Sequence, residues 1–519
     1  MYIKKSKTKS GRSYWCIAEG YYDPETKKIR TVNVKKLGYL DELEKEHSDP
    51  EHYYQAVVAK MNEEKKKALE SQSPTVTLDK SSRVRTGVRK NFGYTALSSL
   101  YHELEIDKFF ANRQRSLNVK YSLNAIMRLL LFSRLLSPGS EKKAFDERTW
   151  YFERSDMTLD DIYRSLAIIN KYREDLQLWI HERITANYGR DITTTYYNIT
   201  NYYFETDKQD EQREKGKGKE RRSDPIIQMG LFTDNSWLPA AYHLFSGNNN
   251  DCTTLLPVIK RVRRDFRTEK LIVVSDEGMN TQKNAYYLAG SRGGYVFRQS
   301  IREGTKELKA FALREKDYEW LNPDFKKKSR QLLRDIEFED DDGRIVKAKI
   351  PEKQVAFYSR ADDMRAKAGR TASKMEDERY DGYSVVVTSR YEAPDDWVID
   401  TYKGLWDNER TFKTTGSDLV ARPVSVSRED HIQAYFLTCF VSLVIIKLLQ
   451  KKVGNKYLPE EILNSLSKSC CSNFFANMYL FDYDDEILQD IGKVLGIDFG
   501  LKFRSLEEIK KIIAETRKH

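Results

Sequence analysis

Three positions far apart in the chain have polar side chains in segments that otherwise predict buried structure. Asn198 lies in the middle of "TTTYYNITNYYFE", a run of β-branched and aromatic residues that predicts a strand. Asp276 follows the apolar run of "LIVVSDEG", at the carboxyl end of a predicted buried strand, where α/β sheets tend to bind ligands. Glu409 shares one face of a predicted helix with Tyr402 and Leu405.

Each of these positions also has a purely structural explanation. Burying an unpaired carboxylate costs several kcal/mol, so Glu409 needs a cation, a metal ion or a shifted pKa, and a salt bridge to Arg or Lys would suffice. Asp276 could end its strand in an ordinary turn, and the Asn198 amide could form hydrogen bonds within a core. Taken together, the three side chains favour one site assembled from distant segments.

Changes in pattern along the chain predict the elements that must position these side chains. A Thr158–Asp161 helix start lies within a helical block, and short strands such as "GRIVKAKI" and "KQVAFYS" lie before the Glu409 helix. The remainder after that helix is predicted to be helical. The predicted segments are a basic hairpin and helix domain (1–70), a linker (71–92), an α-helical region (93–190), the first part of an α/β core (191–300), a β-rich insertion (301–380), the second part of the core (381–445) and a C-terminal helical region (446–519).

Composition narrows the class of protein. The chain has 519 residues, 39% hydrophobic and 32% charged, and no apolar run was expected to reach the length of a membrane span. The N-terminus is basic but has no apolar signal segment, which predicts a cytosolic protein. Five cysteines without a CxxC pair indicate neither a disulfide framework nor a zinc site.

Basic residues are clustered, although the net charge of +10 is a mild excess. Clusters lie within residues 1–40, 213–222, 260–267 and 325–330. Any one of them is most simply a solvated surface. Several clusters together favour nucleic acid as the partner.

Longer segments resemble those of a known family in their amino-acid sequence and in their order along the chain. The segments "YYNITNYYFE", "DPIIQMGLF", "VVSDEGMNT" and "YKGLWDNERTFK" resemble the DDE transposases of bacterial insertion sequences. The resemblance covers most of the chain and implies a multidomain α/β fold. In it an RNase H-like catalytic core has a β-rich insertion, accompanied by a small N-terminal β-rich domain and α-helical DNA-binding regions.

The resemblance also implies a metal site. The family's Asp, Asp and Glu fall at Asn198, Asp276 and Glu409, and they hold Mg²⁺, with Mn²⁺ as an alternative. Because an amide oxygen is a poor substitute for a bridging carboxylate, this chain is expected to bind metal weakly and to be impaired in cleavage. Asp191 cannot replace the lost acid, since it lies roughly 23 Å away on the opposite strand face at about 3.3 Å per residue. The asparagine is either a natural loss of activity or a substitution made to trap DNA, and the intact remainder favours the second.

The family's Tyr-Arg-Glu-Lys signature is only partly present. Tyr402 and Glu409 match it, but Leu405 and Gly416 occupy the Arg and Lys positions. Trp320 in the insertion could stack on an unpaired base, or lie in a core. The predicted DNA contacts are therefore Tyr402, Arg410, Lys413, Arg422 and Trp320.

The resemblance predicts a DNA transposase. It would bind double-stranded DNA at terminal inverted repeats, pair two ends in a homodimeric synaptic complex, cleave strands and transfer them to target DNA. It would work in a prokaryotic cytoplasm at the nucleoid, without a membrane. The alternatives are a non-catalytic, repressor-like DNA-binding protein derived from a transposase, and a structure-selective nuclease that never joins ends.

Overall fold

The computed structural model describes residues 1–8, 11–23, 28–71, 89–153, 156–203, 226–246, 251–368, 378–405, 428–475 and 477–518. The chain divides into two compact units, residues 1–84 and 85–519. The fold is a mixed α/β architecture with a strand-rich N-terminal domain and a large mixed sheet. The predicted linker falls largely on residues 72–88, outside the described ranges.

The N-terminal unit is a three-stranded antiparallel sheet with two helices. The predicted hairpin is confirmed, and the sequence patterns missed the strand that precedes it. Two register shifts in the pairing of the second and third strands each leave an extra residue in the third strand. Four consecutive residues of the middle strand, 15–18, are buried. The elements are β1 (Tyr2–Lys7), β2 (Ser13–Asp23), β3 (Lys28–Tyr39), α1 (Leu40–Glu46) and α2 (Pro50–Ser71).

A nine-stranded mixed sheet organises the second unit. Its order is β10-β11-β12-β13-β9-β8-β5-β6-β7, in which β5, β8 and β9 are parallel and every other neighbouring pair is antiparallel. The strands are β5 (Thr194–Tyr203), β6 (Ile226–Thr233), β7 (Pro239–Ser246), β8 (Ile272–Ser275), β9 (Gly294–Gln299), β10 (Glu319–Asn322), β11 (Phe325–Glu339), β12 (Ile345–Ser359) and β13 (Tyr383–Thr388).

Helices cover the sheet and form a second layer beside it. The Thr158–Asp161 capping box is present as predicted, with each side chain bonding the other's backbone N–H. The helices are α3 (Tyr94–Glu103), α4 (Ile106–Gln114), α5 (Leu123–Leu136), α6 (Glu141–Asp146), α7 (Leu159–Lys171), α8 (Arg173–Tyr188), α9 (Asp251–Asp265), α10 (Gln282–Ala289), α11 (Lys306–Leu313), α12 (Arg360–Ala368), α13 (395–405), α14 (Glu429–Lys452), α15 (Pro459–Lys468), α16 (Glu486–Leu495) and α17 (Leu506–Glu515).

Three apolar clusters hold this unit together. The first joins the helical layer and α14 to the β6–β7 end of the sheet through residues such as Met229 and Tyr242. The second packs α9, α10 and α11 against one sheet face. The third packs α13 against the opposite face, and it includes Tyr196 and Tyr402. The two faces of β5 therefore pack against different helices.

One helix of the described residues, α14, is long and apolar enough to cross a bilayer by length and composition. The apolar window within it is wholly buried in the fold, which is typical of the core helix of a folded domain. The expectation that no such apolar run exists is corrected here.

One further prediction of secondary structure was confirmed in part and one was wrong. The segments "GRIVKAKI" and "KQVAFYS" are strand residues as predicted, but they belong to one strand, β12, which pairs with β11 along its whole length. The C-terminal region is not all helical, because β14 (Cys470–Phe475), β15 (Met478–Phe481) and β16 (Phe503–Ser505) form a sheet with β4 (Arg89–Asn91). That sheet depends on pairing between segments hundreds of residues apart, which local patterns do not reveal.

Candidate active site

The register of three parallel strands brings polar side chains together at the carboxyl edge of the sheet. Tyr196 on β5 pairs with Val274 on β8, and Val274 pairs with Val296 on β9. Extending this register by two residues leads to Asn198 on β5, to Asp276 just past the end of β8 and to Arg298 on β9. Since neighbouring strands lie about 4.8 Å apart, these positions are adjacent. The predicted proximity of Asn198 and Asp276 agrees with this register.

The same face of the sheet supports α13. Tyr196, Val274 and Val296 share an apolar cluster with Tyr402 and Leu405, and alternation along a strand places residues two positions later on the same face. Side chains at Asn198, Asp276 and Arg298 are therefore on the α13 side of the sheet.

A glycine allows α13 to approach β5 closely. A Cβ atom at Gly404 would lie 2.8 Å from the Tyr196 hydroxyl and 3.0 Å from the Trp237 ring. Any larger residue would push the helix away from the strand. The helix that leads toward position 409 is thus seated directly against the strand that contains Asn198.

Asp276 lies in a polar environment that does not satisfy it. Its Oδ1 atom is buried and has no hydrogen-bond partner among the described residues. Among the described residues a cation lies near it in Arg298, whose Nη1 is 4.0 Å from that oxygen, too far for a hydrogen bond. Glu277 lies 4.0 Å from the Nε of the same guanidinium. A buried carboxylate oxygen without a hydrogen-bond partner is available as a ligand for a bound cation.

Arg298 is the site residue that the sequence patterns did not single out. Burial lowers the pKa of Arg298, but its neighbours Tyr402, Asp276 and Glu277 outweigh burial, and the pKa is raised above its ordinary value. The signal that could have found it is its place in "GGYVFRQS", two residues after a buried valine of the third parallel strand.

The predicted DNA-contacting residues differ in their surroundings: one is buried, one is exposed, and the others lie outside the described residues. Tyr402 is fully buried and interacts with Arg298, so its surroundings indicate a positioning role; its predicted DNA contact stays a prediction. Trp320 is 54% exposed on β10, at the sheet edge, with Lys326 Nζ 4.9 Å from its ring. Glu409, Arg410, Lys413 and Arg422 lie outside the described residues.

Asp191 lies before β5 rather than in it. Its Oδ1 accepts a hydrogen bond from the Thr193 backbone N–H at 2.8 Å, which makes it a turn residue. This agrees with the expectation that it cannot replace an acid at position 198.

The basic cluster at 325–330 is not the phosphate-binding surface that its composition suggested. Lys326, Lys327 and Lys328 are all buried. Lys326 donates to Glu315 at 2.6 Å, Lys327 pairs with Asp396, and Lys328 donates to the Arg314 carbonyl. The cluster at 213–222 lies outside the described ranges.

The oxygen atoms of the site are of the kind that a hard divalent cation prefers as ligands. Asp276 contributes an unsatisfied carboxylate oxygen, and Asn198 can contribute an amide oxygen beside it. No group of three His, Cys, Asp or Glu side chains able to hold a metal occurs among the residues that the structure describes. The residues fit Mg²⁺ only with position 409 added and with one neutral ligand.

Comparisons with known proteins identify the family of the chain. The chain matches the family model "Transposase DDE domain" over residues 201–445, a range that begins just after Asn198 and contains Asp276 and Glu409. It also matches "IS1634 family transposase, N-terminal domain" over residues 3–74. The chain belongs to the DDE transposases of bacterial insertion sequences.

Two further comparisons add less. No curated protein matches the chain. Among solved structures, the chain is similar to a piggyBac transposase synaptic complex with hairpin DNA, with a TM-score of 0.38 and 9% sequence identity. That similarity covers 82% of this chain and 85% of the other.

Proposed function

We propose that this chain is a DNA-cleaving and strand-transferring enzyme whose catalytic core is RNase H-like. The order β7-β6-β5-β8-β9, antiparallel through β7, β6 and β5 and parallel through β5, β8 and β9, supports that core. The observation on which the proposal depends is the adjacent register of Asn198 and Asp276 beneath α13.

The catalytic and metal-binding positions in this proposal are Asn198, Asp276 and Glu409. Mg²⁺, or Mn²⁺ in its place, supplies Lewis-acid stabilisation of the attacking and leaving oxygens when bound. In this proposal Asp276 supplies a carboxylate oxygen that has no competing hydrogen bond among the described residues. The sequence spacing predicts that Glu409 shares a helical face with Tyr402 and Leu405. Tyr402 and Leu405 both pack against the sheet on the side of Asp276.

Arg298 has two effects in this arrangement. Its guanidinium offsets the charge of Asp276 and Glu277, and these neighbours together with Tyr402 raise the pKa of Arg298. A fixed cation at this edge suits a phosphate of the DNA backbone. Arg410, Lys413 and Arg422 extend the proposed DNA contacts. The exposure of Trp320 supports the proposal that it stacks on an unpaired base.

Asn198 impairs the proposed chemistry. A neutral amide in place of the bridging carboxylate weakens metal affinity, so we expect the chain as written to cut DNA slowly or not at all. The substrate is double-stranded DNA bearing terminal inverted repeats, joined to target DNA by a homodimer in a synaptic complex. The setting is the nucleoid of a prokaryotic cytoplasm.

The experiment is restoration of the acid. We expect Asn198→Asp to raise Mg²⁺-dependent cleavage of the DNA ends that flank the gene by about 100-fold or more, because a metal-bound carboxylate contributes several kcal/mol. Asn201→Asp, on the same strand, is the matched control and should not cut. A folded, DNA-binding Asn198→Asp protein that still fails to cut would contradict the proposal.

A second function is favoured by one observation. Arg298 lies beside Asp276 in the place where a cation is needed, so an arginine already balances part of the charge of the site. This suits a repressor-like protein that binds ends without cutting them. Such a protein would stay inert after Asn198→Asp, and Arg298→Gln in addition would not restore cleavage.

A further inference from the structure

A cavity of about 760 Å³ lies in the helical layer and shares no lining residue with the candidate active site. It is formed by the N-terminal end of α5, the segment after residue 147 and the helix α17. We call it the α5–α17 cavity. The lining residues used below are Lys120, Tyr121, Arg128, Phe152, Lys510 and Arg517.

Charge in this cavity favours an anion. Five basic and three acidic side chains line it. On its wall, Arg128 and Arg517 share one carboxylate, Glu153, and Arg517 Nη2 lies 2.9 Å from Glu153 Oε2. These three groups together keep one positive charge. The N-terminal end of α5 adds the positive end of its helix dipole.

One buried donor of this wall is unsatisfied. Arg128 is only 8% exposed, and its Nε has no hydrogen-bond partner in the described residues. An unpaired buried N–H costs free energy, so native structures usually supply a protein group, water or ligand for it. The other end of the same guanidinium pairs with Glu153, so one N–H of Arg128 is left without an acceptor in the wall of the cavity.

The rest of the lining is aromatic and apolar. Four rings contribute to it, those of Tyr121, Phe132, Tyr151 and Phe152, and Met157 lies among them. Aromatic rings bind planar bases by stacking. A volume of about 760 Å³ is typical of small-molecule sites, which span about 300–1,000 Å³.

We propose that the α5–α17 cavity binds a nucleoside phosphate, with the base against the aromatic wall and the phosphate toward Arg517 and Lys510. The same chemistry is offered by a free nucleotide and by the unpaired end of a DNA strand with a 5′-phosphate. The proposal does not depend on cleavage at Asp276.

The test is calorimetric titration of the full chain. We expect deoxyadenosine 5′-monophosphate to bind at least tenfold more tightly than deoxyadenosine or inorganic phosphate, because each of these lacks half of the recognised groups. Arg517→Gln and Lys510→Gln should each weaken nucleotide binding about tenfold, as expected for loss of a charge-assisted bond to phosphate. Tyr121→Leu should bring nucleotide affinity toward that of inorganic phosphate.

Matched controls are the neighbouring lysines. Lys518→Gln and Lys511→Gln change the same charge next to the tested positions, but neither residue lines the cavity. They should bind the nucleotide like the unchanged chain. No saturable binding of the nucleotide, equal losses in the controls, or equally tight binding of inorganic phosphate would each overturn the proposal.

A competitive titration distinguishes a free nucleotide from the 5′-phosphorylated end of a DNA strand as the ligand. A single-stranded pentanucleotide with a 5′-phosphate is titrated in the presence and absence of the mononucleotide. If the mononucleotide displaces it and the strand binds at least tenfold more tightly, the ligand is a DNA strand end. If the strand is not displaced or binds no better, the ligand is the free nucleotide.

Discussion

The carboxyl edge of β5, β8 and β9 and the lysine-rich strand β11 both concentrate charge, but they treat it in opposite ways. On β11, three consecutive buried lysines each have a close partner, as with Lys326 on Glu315 and Tyr383. At the edge, one Asp276 oxygen has no hydrogen-bond partner among the described residues, and Arg298 lies 4.0 Å from it. Satisfied charge indicates structure, whereas unsatisfied charge in a well-formed fold indicates a missing ligand.

The β11 lysines also serve the site at a distance. Lys327 pairs with Asp396, and Lys353 on β12 pairs with Asp395 at 2.7 Å. Both acids lie in the first turn of α13, where negative charge also favours the helix dipole. Charge that looked suited to DNA thus fixes the start of the helix leading to position 409.

The largest effect is expected when Asp276 is neutralised, which tests whether its charge serves activity rather than stability. In an Asn198→Asp background we expect Asp276→Asn to reduce Mg²⁺-dependent cleavage about 1,000-fold or more, since a metal ligand is lost. Denaturant unfolding should change by less than about 0.5 kcal/mol, because no hydrogen bond of the Oδ1 atom is broken. Asp335→Asn, at an exposed position of β11, is the control and should alter neither quantity. A large loss of stability would make Asp276 structural.

Neutralising a β11 lysine should have the reverse outcome. Lys326→Met removes charge-assisted hydrogen bonds to Glu315 and Tyr383, and we expect the free energy of unfolding to fall by about 1–2 kcal/mol. Lys349→Met on β12, whose side chain is 67% exposed, should cost less than about 0.5 kcal/mol. Denaturant titrations of both variants measure the difference. Equal effects would show that burial of the β11 lysines adds no stability.

The smallest expected effect is a change in the free energy of unfolding at acidic pH. The hydrogen bond from Lys326 lowers the pKa of Glu315 below its ordinary value of 4.5. A lowered carboxylate pKa stabilises the fold above the unfolded value, and that stability is lost as pH falls through the folded value. The stability gap between the unchanged chain and Lys326→Met should therefore narrow below about pH 4.5. Because Glu315 is largely exposed, the change should stay under about 1 kcal/mol. A gap that is constant between pH 6 and pH 3 would exclude this pair as its source.

Local patterns predicted the helix start at Thr158, the strands around Asn198 and Asp276, and the helix of Tyr402. These features are set by nearest neighbours and by hydrophobic period. The patterns failed where distant segments decide, as in the β4–β14 pairing, the uninterrupted β12 and the burial of Lys326. Arg298 was missed for the same reason, because its role arises only from the register of β8 and β9.

The insertion shares its backbone ladder with the core, since β12 pairs with β13 and β13 pairs with β9. A hairpin joined in this way cannot swing about a hinge without breaking several interstrand hydrogen bonds. Trp320, at the far edge of the same sheet, is therefore held at a set number of strand widths from Arg298. The sheet therefore fixes the distance between the tryptophan and the edge at Arg298. Lengthening or shortening a strand would not change that distance, whereas removing a strand would.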